Sequence, residues 1–127
     1  MGPMARPEFT VSVKVAYLDE QSQPAQGVFA FAYTVTIVNS GDTTAQLVAR
    51  HWVITDAAGH TEEVRGLAVV GHQPLLKPGE RFEYTSWTRI GTPQGTMRGT
   101  YFCMTEDAHP FDAPVPEFML ARPEQLH

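Results

Sequence analysis

Residues Val28 to Asn39 read VFAFAYTVTIVN, and this stretch decides the fold. Aromatic and β-branched residues occupy every second position from Phe29 to Ile37, and smaller or polar residues fill most positions between them. A period of two places alternate side chains on opposite faces of a strand. Because these residue types favour strands, the stretch predicts a central β-strand. The segment Asn39 to Asp42 then supplies the residues of a turn.

The same alternation recurs along the chain and predicts six further strands. They are Phe9 to Leu18, Gln46 to Asp56, Thr61 to Arg65, Arg81 to Arg89, Gly99 to Thr105 and Phe111 to Leu120. Both faces of the strand that starts at Gln46 are mixed, so its pattern does not identify the inner face. Pro114 and Pro116 cannot donate ladder hydrogen bonds, which predicts that the last strand lies at an edge or carries a bulge.

These elements predict an all-β fold, an antiparallel β-sandwich of about seven strands and of immunoglobulin-like size. The Cys, Trp, Cys framework of antibody domains is missing from the sequence. A chain of 127 residues ordinarily forms one domain, so we assign residues 1–127 to a single domain. Within it, residues 1–8 are expected to form a flexible N-terminal segment.

Charge and composition argue against several classes of protein. Nine basic and fourteen acidic residues give a net charge of -5, which opposes the phosphate contacts of nucleic-acid binding. The apolar runs are shorter than the roughly 20 residues of a membrane span. The N-terminus lacks the apolar region of a secretion signal, and the single Cys103 cannot form an internal disulfide. We therefore expect a cytoplasmic protein that binds neither nucleic acid nor membranes.

Residues 64–74, VRGLAVVGHQP, nearly spell the glycine fingerprint of a dinucleotide-binding turn. That fingerprint needs a bare second glycine beside the pyrophosphate and a helix N-terminus after it. Here Ala68 occupies the middle position, and Pro74 and Pro78 exclude a following helix. The stretch therefore predicts a strand with a glycine bend that leads into a turn, with a backbone anion nest as the alternative. The nest would consist of Arg65, Gly66, Ala68, Gly71, His72 and Gln73.

Several collinear segments resemble the bacterial ApaG family. They are YLDEQS (17–22), FAYTVTI (31–37), RHWVITD (50–56), VVGHQP (69–74), PGE (78–80), YTS (84–86), TPQGTMRGTY (92–101) and LH (126–127). The resemblance spans essentially the whole chain and implies a fibronectin type III-like sandwich with no established enzymatic activity. It also implies links to cobalt resistance and magnesium efflux, and to protein-binding modules in eukaryotic F-box proteins. The family usually carries a complete Gly-x-Gly-x-x-Gly, from which Ala68 departs.

The residue types that bind metals are too scattered to predict a metal site. None of the five histidines pairs with another at the spacing of a zinc finger or of a helical zinc motif. Asp56, His60 and Glu62 surround one turn, but exposed acidic turns are common in proteins without metals. We predict no metal site and no cofactor.

No arrangement of side chains predicts catalysis. Cys103 lies between Phe102 and Met104, an apolar setting that keeps a thiol protonated and inert. Ser86 and His51 could be proposed as nucleophile and base, but nothing in their spacing supports a triad. We therefore predict a protein that is not an enzyme.

The two tryptophans suggest different roles. Trp52 lies in the RHWVITD motif and is expected in the core, because large aromatics fill the space between sheets. Trp87 stands among polar residues and is the candidate anchor for a partner.

The favoured function is a protein–protein interaction module with an unknown partner, in a monomer or weak homodimer. Addition of a partner strand beside the proline-marked last strand is one way in which it could bind. The alternative is nucleotide or pyrophosphate binding by the loop from Gly66 to Gln73, with Arg65 and Lys77 as the nearby cations.

Overall fold

The computed structural model describes residues 6–122 as eight strands in two antiparallel sheets. The strands are β1 (Phe9–Tyr17), β2 (Phe29–Asn39), β3 (Ala45–Asp56), β4 (Thr61–Leu67), β5 (Leu75–Leu76), β6 (Arg81–Ile90), β7 (Gly95–Thr105) and β8 (Pro110–Leu120). The antiparallel β-sandwich is confirmed, and each of the seven predicted strands is present. Strand β5 was not predicted, because two residues are too few to show a period.

One sheet has the strand order β1-β2-β6, and the other has the order β4-β3-β7-β8 with β5 beside the start of β3. Strand β2 is central in its sheet, as predicted. Strand β8 lies at an edge, and its register with β7 shifts so that Pro116 and Glu117 lie opposite Arg98. The last strand was predicted to lie at an edge or to carry a bulge, and it does both.

The core lies between the sheets and is built on alternate residues of β2. The side chains of Phe31 and Ile37 are fully buried, and the ring of Trp52 packs edge-on against the rings of Tyr33 and Tyr101. Burial of each large apolar side chain contributes about 1.5–3 kcal/mol relative to exposure. Trp52 is thus a core residue, as predicted.

The mixed faces of β3 have a local cause. The register between β3 and β7 shifts between Leu47 and Ala49, which marks a β-bulge. Leu47 belongs to the core before the bulge, and Trp52 and Ile54 belong to it afterwards. Because the extra residue changes which positions face inward, no single period of two describes the whole strand.

The remaining differences concern short elements and strand ends. Two three-residue 3-10 turns, Asp19–Gln21 and Pro24–Gln26, connect β1 to β2, and they are too short to show a helical period. Strand β7 begins earlier than predicted, at Gly95, and β4 continues further, to Leu67. Within residues 6–122 no helix has the length and hydropathy to cross a membrane.

The expected flexible segment, residues 1–8, overlaps the described chain only at residues 6–8, and the rest lies outside the described residues. The N–H of Arg6 donates to Asp42 Oδ1 at 2.7 Å, and the carbonyl of Glu8 accepts backbone hydrogen bonds from the same loop. Residues 6–8 are therefore attached to the loop that follows β2.

Candidate functional site

The second half of the glycine-rich segment forms a tight hairpin. The N–H of Val69 donates to the carbonyl of His72 at 2.8 Å, and the N–H of His72 donates back at 2.9 Å. Between them, Val70 and Gly71 have φ values of 48° and 79°. Two consecutive residues with positive φ are the geometry of a type I′ turn, in which glycine is favoured. Gly71 is thus explained by the turn that it makes.

Gly66 lies beside the guanidinium of Arg50. Arg50 Nη1 donates to the carbonyl oxygens of Leu67 at 2.8 Å and Ala68 at 2.9 Å. A Cβ on Gly66 would lie 2.9 Å from the same nitrogen, so the glycine leaves the room that the guanidinium occupies. This cation is therefore bound to backbone carbonyls at the glycine motif.

An anion nest needs converging backbone N–H groups that have no protein acceptor. In this loop the N–H of Ala68 donates to the carbonyl of Val48 at 2.9 Å, and those of Val69 and His72 close the hairpin. The side chain of Gln73 donates to the same Val48 carbonyl at 3.0 Å, which anchors the loop to β3. The hydrogen bonds at Ala68, His72 and Gln73 thus serve the folding of the loop, and this geometry gives no support to a phosphate nest.

A depression of about 580 Å³ lies on the outer face of the five-stranded sheet. We call it the outer-face depression. Its lining includes Ala49, His51, Arg65, Leu67, Phe102 and Asp112. Of the six residues predicted for the loop site, only Arg65 and Gly66 line it, because β4 places them at its border while the hairpin turns away.

Cross-strand register explains how these side chains meet. Leu67, Ala49, Phe102 and Asp112 are direct partners in one row across β4, β3, β7 and β8. Side chains of directly opposed residues point to the same face of a sheet. The row therefore runs from an apolar residue at the β4 edge to a carboxylate at the β8 edge.

A charged cluster borders this row on β3 and β4. His51 Nε2 lies 2.9 Å from Glu63 Oε1, and Arg65 Nη2 lies 3.6 Å from the same oxygen. The hydrogen bond from His51 and the positive charge of Arg65 hold the pKa of the Glu63 carboxyl below its usual value. With Asp112 at the opposite edge, charged groups stand on both sides of the apolar row.

Two apolar side chains that line the depression are exposed to solvent. Leu67 is 72% exposed and Phe102 is 39% exposed, with Ala49 between them. The alternation along β7 places Phe102 on the face opposite Cys103, but it does not connect Phe102 with Leu67. The sequence does not show that β3 pairs with both β4 and β7, and this pairing is what brings the two residues into one row. The one available signal was an aromatic residue on the outward face of β7.

Trp87 lies on the outer face of the other sheet. It is 57% exposed, and the guanidinium carbon of Arg89 lies 5.0 Å from the ring centroid. Its neighbour on β2 is Ala32, and it lines a small depression together with Leu18, Gln21 and Arg89. The two sheets therefore carry separate surfaces, one at the outer-face depression and one at Trp87.

The residues considered for catalysis do not form a reactive site. Cys103 is fully buried, and burial, followed by the negative charge of Asp112, raises the pKa of its thiol to about 12. The burial expected of this cysteine is confirmed. Ser86 and His51 lie in different sheets, on β6 and β3.

The residues considered for a metal form an ordinary turn. Asp56 Oδ1 accepts hydrogen bonds from the N–H groups of Ala58 and His60, at 2.9 and 3.0 Å. His60 Nδ1 lies 3.4 Å from the other oxygen of the same carboxylate. In residues 6–122 no group of three or more histidine, cysteine or acidic side chains is placed to hold a metal ion.

The chain matches known proteins over almost its full length. The sequence pattern of the ApaG domain matches residues 19–105. Protein ApaG of Ralstonia nicotianae is 64% identical over 98% of this chain and 100% of its own length, and that of an Acidovorax species is 57% identical over 92% and 87%. A crystal structure from Bordetella pertussis, described as an ApaA protein, has 55% identity and a TM-score of 0.90, covering 95% of this chain and 98% of that one.

A more distant structure shows the same fold. The C-terminal domain of wzt has a TM-score of 0.55 at 8% identity, and the match covers 94% of this chain and 75% of that domain. At that identity the likeness concerns the sandwich alone. The extent of the ApaG domain match and the full-length identity to ApaG proteins show that this chain belongs to the ApaG family.

Proposed function

We propose that this protein is a non-catalytic, cytoplasmic protein-binding module whose partner binds at the outer-face depression. The observation that carries the proposal is the apolar row of Leu67, Ala49 and Phe102 between charged groups, in which Leu67 and Phe102 are exposed. Protein interfaces commonly combine a central apolar patch with a polar, charged rim. The row and its border have this composition.

The geometry of the surface favours binding. The row lies on three paired strands, so its side chains are held by backbone hydrogen bonds before a partner arrives. A preformed surface loses less conformational entropy on binding than a loop that must become ordered. Full burial of an exposed leucine or phenylalanine contributes about 1.5–3 kcal/mol. Because Leu67 is 72% and Phe102 39% exposed, covering them gains part of that amount, most of it at Leu67.

The charged border supplies orientation. Arg65 and the His51–Glu63 pair lie on the β4 side, whereas Asp112 lies on the β8 side. Such a border steers association and selects a partner with complementary charges more than it adds affinity. We therefore expect a partner segment that is apolar in its centre and charged at both ends.

The family resemblance implies a link to cobalt and magnesium homeostasis. We propose that this link arises from the activity of the partner that the protein binds. The proposal assigns no metal to this chain and no catalytic step to its residues. Nucleotide binding is not part of it, because the N–H groups of Ala68, Val69 and His72 already have protein acceptors.

The test is affinity capture with chemical cross-linking in bacterial extract, followed by identification of the captured proteins. The bait would be the intact protein, a Leu67→Asp/Phe102→Asp double variant, and Ser12→Asp as a matched control. Ser12 is exposed on the outer face of the other sheet, so the control adds a single negative charge away from the depression.

We expect a reproducible partner that the double variant loses and that Ser12→Asp retains. Circular dichroism would establish that all three proteins keep their fold, which is expected because the replaced side chains are exposed. Equal capture by the double variant, or no reproducible partner for the intact protein, would overturn the proposal.

A further inference from the structure

The inference concerns strand β6, which leaves one long edge without a neighbour. Among residues 6–122, β6 has a hydrogen-bonded partner strand on one side only, namely β2. The ten residue pairs between β2 and β6 run from Phe29–Ile90 to Val38–Arg81 without a register shift. The strand contains no proline. It therefore lacks the bulges and prolines with which proteins usually block a free edge.

The direction of the backbone groups on β6 follows from one hydrogen bond. The N–H of Asn39 donates to the carbonyl of Glu80 at 2.9 Å, just before β6 begins. Backbone groups of successive residues in a strand point to opposite sides. The even-numbered residues of β6 therefore face β2. The N–H and C=O groups that point to the free edge belong to Arg81, Glu83, Thr85, Trp87 and Arg89.

The other edges are less suited to pairing. On β8, the bond from the Thr105 N–H to the His109 carbonyl shows that odd-numbered residues face β7 as far as Val115, where the bulge begins, which places Pro110 and Pro114 at the free edge without donors. This argues against the addition of a partner strand at β8, which the sequence suggested. Strand β1 packs beside β8.

Strand β4 is the remaining alternative. It has seven residues against the ten of β6. Its acidic residue Glu63 is already paired with His51 and Arg65 of the same chain. The β4 edge therefore offers fewer pairing positions.

The outward residues of β6 are complementary to themselves. If two β6 strands align antiparallel with Ser86 opposite Ser86, then Glu83 of each copy lies opposite Arg89 of the other, and Trp87 lies opposite Thr85. Opposite charges in directly opposed positions stabilise a strand pair by about 0.2–1 kcal/mol, and like charges destabilise it. An alignment centred on Thr85 would instead oppose Arg81 and Arg89, which repel each other.

The geometry points to a symmetric dimer in which β6 pairs with β6 of a second copy in the Ser86-centred register. The two three-stranded sheets then form one continuous six-stranded sheet. Trp87 of each copy packs across the new junction over Thr85 of the other, which covers part of its exposed indole. The interface is isologous, as in most homodimers.

This dimer is separate from the proposed function. Strand β6 belongs to one sheet, whereas the outer-face depression lies on the opposite sheet, so a second copy on β6 leaves that depression open. Either idea can fail without the other. The net charge of -5 on each copy opposes association, so we expect a weak, concentration-dependent dimer.

The first test is sedimentation equilibrium of the intact protein, of Glu83→Arg, of Arg89→Glu and of the double variant that carries both reversals. Each single reversal places like charges opposite each other at two symmetric positions, and we expect the dimer Kd to rise by about tenfold or more, which corresponds to about 1.4 kcal/mol. The double variant exchanges the two charges and should restore the Kd of the intact protein. Arg65→Glu on the β4 edge is the matched control: it makes the same change in net charge as Arg89→Glu and should raise the Kd much less.

The second test is amide hydrogen exchange at low and high protein concentration. The amides of Glu83, Thr85, Trp87 and Arg89 point to the free edge, so they should exchange more slowly as the dimer forms, whereas amides of β4 should not change. A protein that stays monomeric at about millimolar concentration overturns the inference. The inference also fails if the double variant does not recover the dimer or if the control weakens it equally. It fails as well if a dimer forms but the β6 amides remain unprotected.

Discussion

The guanidinium of Arg50 occupies the space that a side chain at Gly66 would need. Its Nη1 bonds the carbonyls of Leu67 and Ala68, and a Cβ on Gly66 would lie 2.9 Å from that nitrogen. The first glycine of the fingerprint-like motif is therefore a packing partner of an arginine on the neighbouring strand. Through these contacts the motif attaches the end of β4 to β3.

Gly66→Ala should destabilise the protein only while Arg50 is present. The new methyl displaces the guanidinium and weakens its two hydrogen bonds, which we expect to cost about 1–2 kcal/mol of unfolding free energy. In an Arg50→Ala background the methyl has room, and the cost should fall close to zero. Urea unfolding of the four proteins measures this coupling, and an equal cost in both backgrounds would contradict the packing relationship.

Gly99→Ala should be much more damaging. A Cβ at this position would lie 2.5 Å from Cε3 of the buried Trp52 ring and 2.7 Å from the carbonyl oxygen of His51. Neither group can move far inside the sandwich, so we expect a loss of about 3 kcal/mol. Gly91→Ala is the control, because its Cβ would come no closer than 3.7 Å to another atom. Thermal unfolding of both variants decides the prediction, which fails if they are equally stable.

Val70→Asn should stabilise the protein. Val70 is a β-branched residue at a φ of 48°, and it is 58% exposed, so its side chain contributes little packing. Asparagine tolerates this region and favours the first central position of a type I′ turn. We expect a gain of about 0.5–1 kcal/mol, seen as a rise of a few degrees in Tm. A lower Tm would show that Val70 makes contacts that its exposure does not suggest.

Stability should fall in acid partly through Asp56. Burial alone raises the pKa of its carboxyl, but hydrogen bonds from the N–H groups of His60 and Ala58 more than offset this and hold the pKa below its ordinary value of 3.8. A carboxyl whose pKa is lowered by folding stabilises the protein above its unfolded pKa, and this contribution is lost as the pH falls through the folded value. The urea midpoint should therefore decline below about pH 4.

Asp56→Asn is the matched control for this pH dependence. Its side-chain oxygen can still accept both N–H bonds, but it does not titrate, so the decline below about pH 4 should be shallower. Parallel pH profiles for the two proteins would show that other carboxyls dominate acid unfolding.

The alternation from Phe29 to Ile37 was sufficient to predict a central strand, because a residue pattern with a period of two reports local backbone geometry. The edge position of β8 followed from Pro114 and Pro116, because a proline has no N–H to donate to a neighbouring strand. The inner face of β3 did not follow, because the bulge between Leu47 and Ala49 depends on pairing with β7. Strand β5 was likewise not predictable, because its two residues are too few to show a period.

The surfaces required the three-dimensional structure. Trp87 could be recognised as exposed from its polar neighbours, but the row of Leu67, Ala49 and Phe102 joins three strands whose register the sequence does not state. The hydrogen bonds that occupy the N–H groups of Ala68, Val69 and His72 were equally hidden. Their acceptors include Val48, which lies in another strand.

By itself, the sequence determined the sandwich, its central and proline-marked strands, the core position of Trp52 and the family, because these depend on local periodicity and collinear motifs. Only the tertiary structure decided that Gly66 accommodates Arg50, that Gly71 makes a type I′ turn, and that β6 has an unblocked edge. These features depend on contacts and hydrogen bonds between residues distant in the chain, which strand register brings together and which no single stretch of sequence encodes.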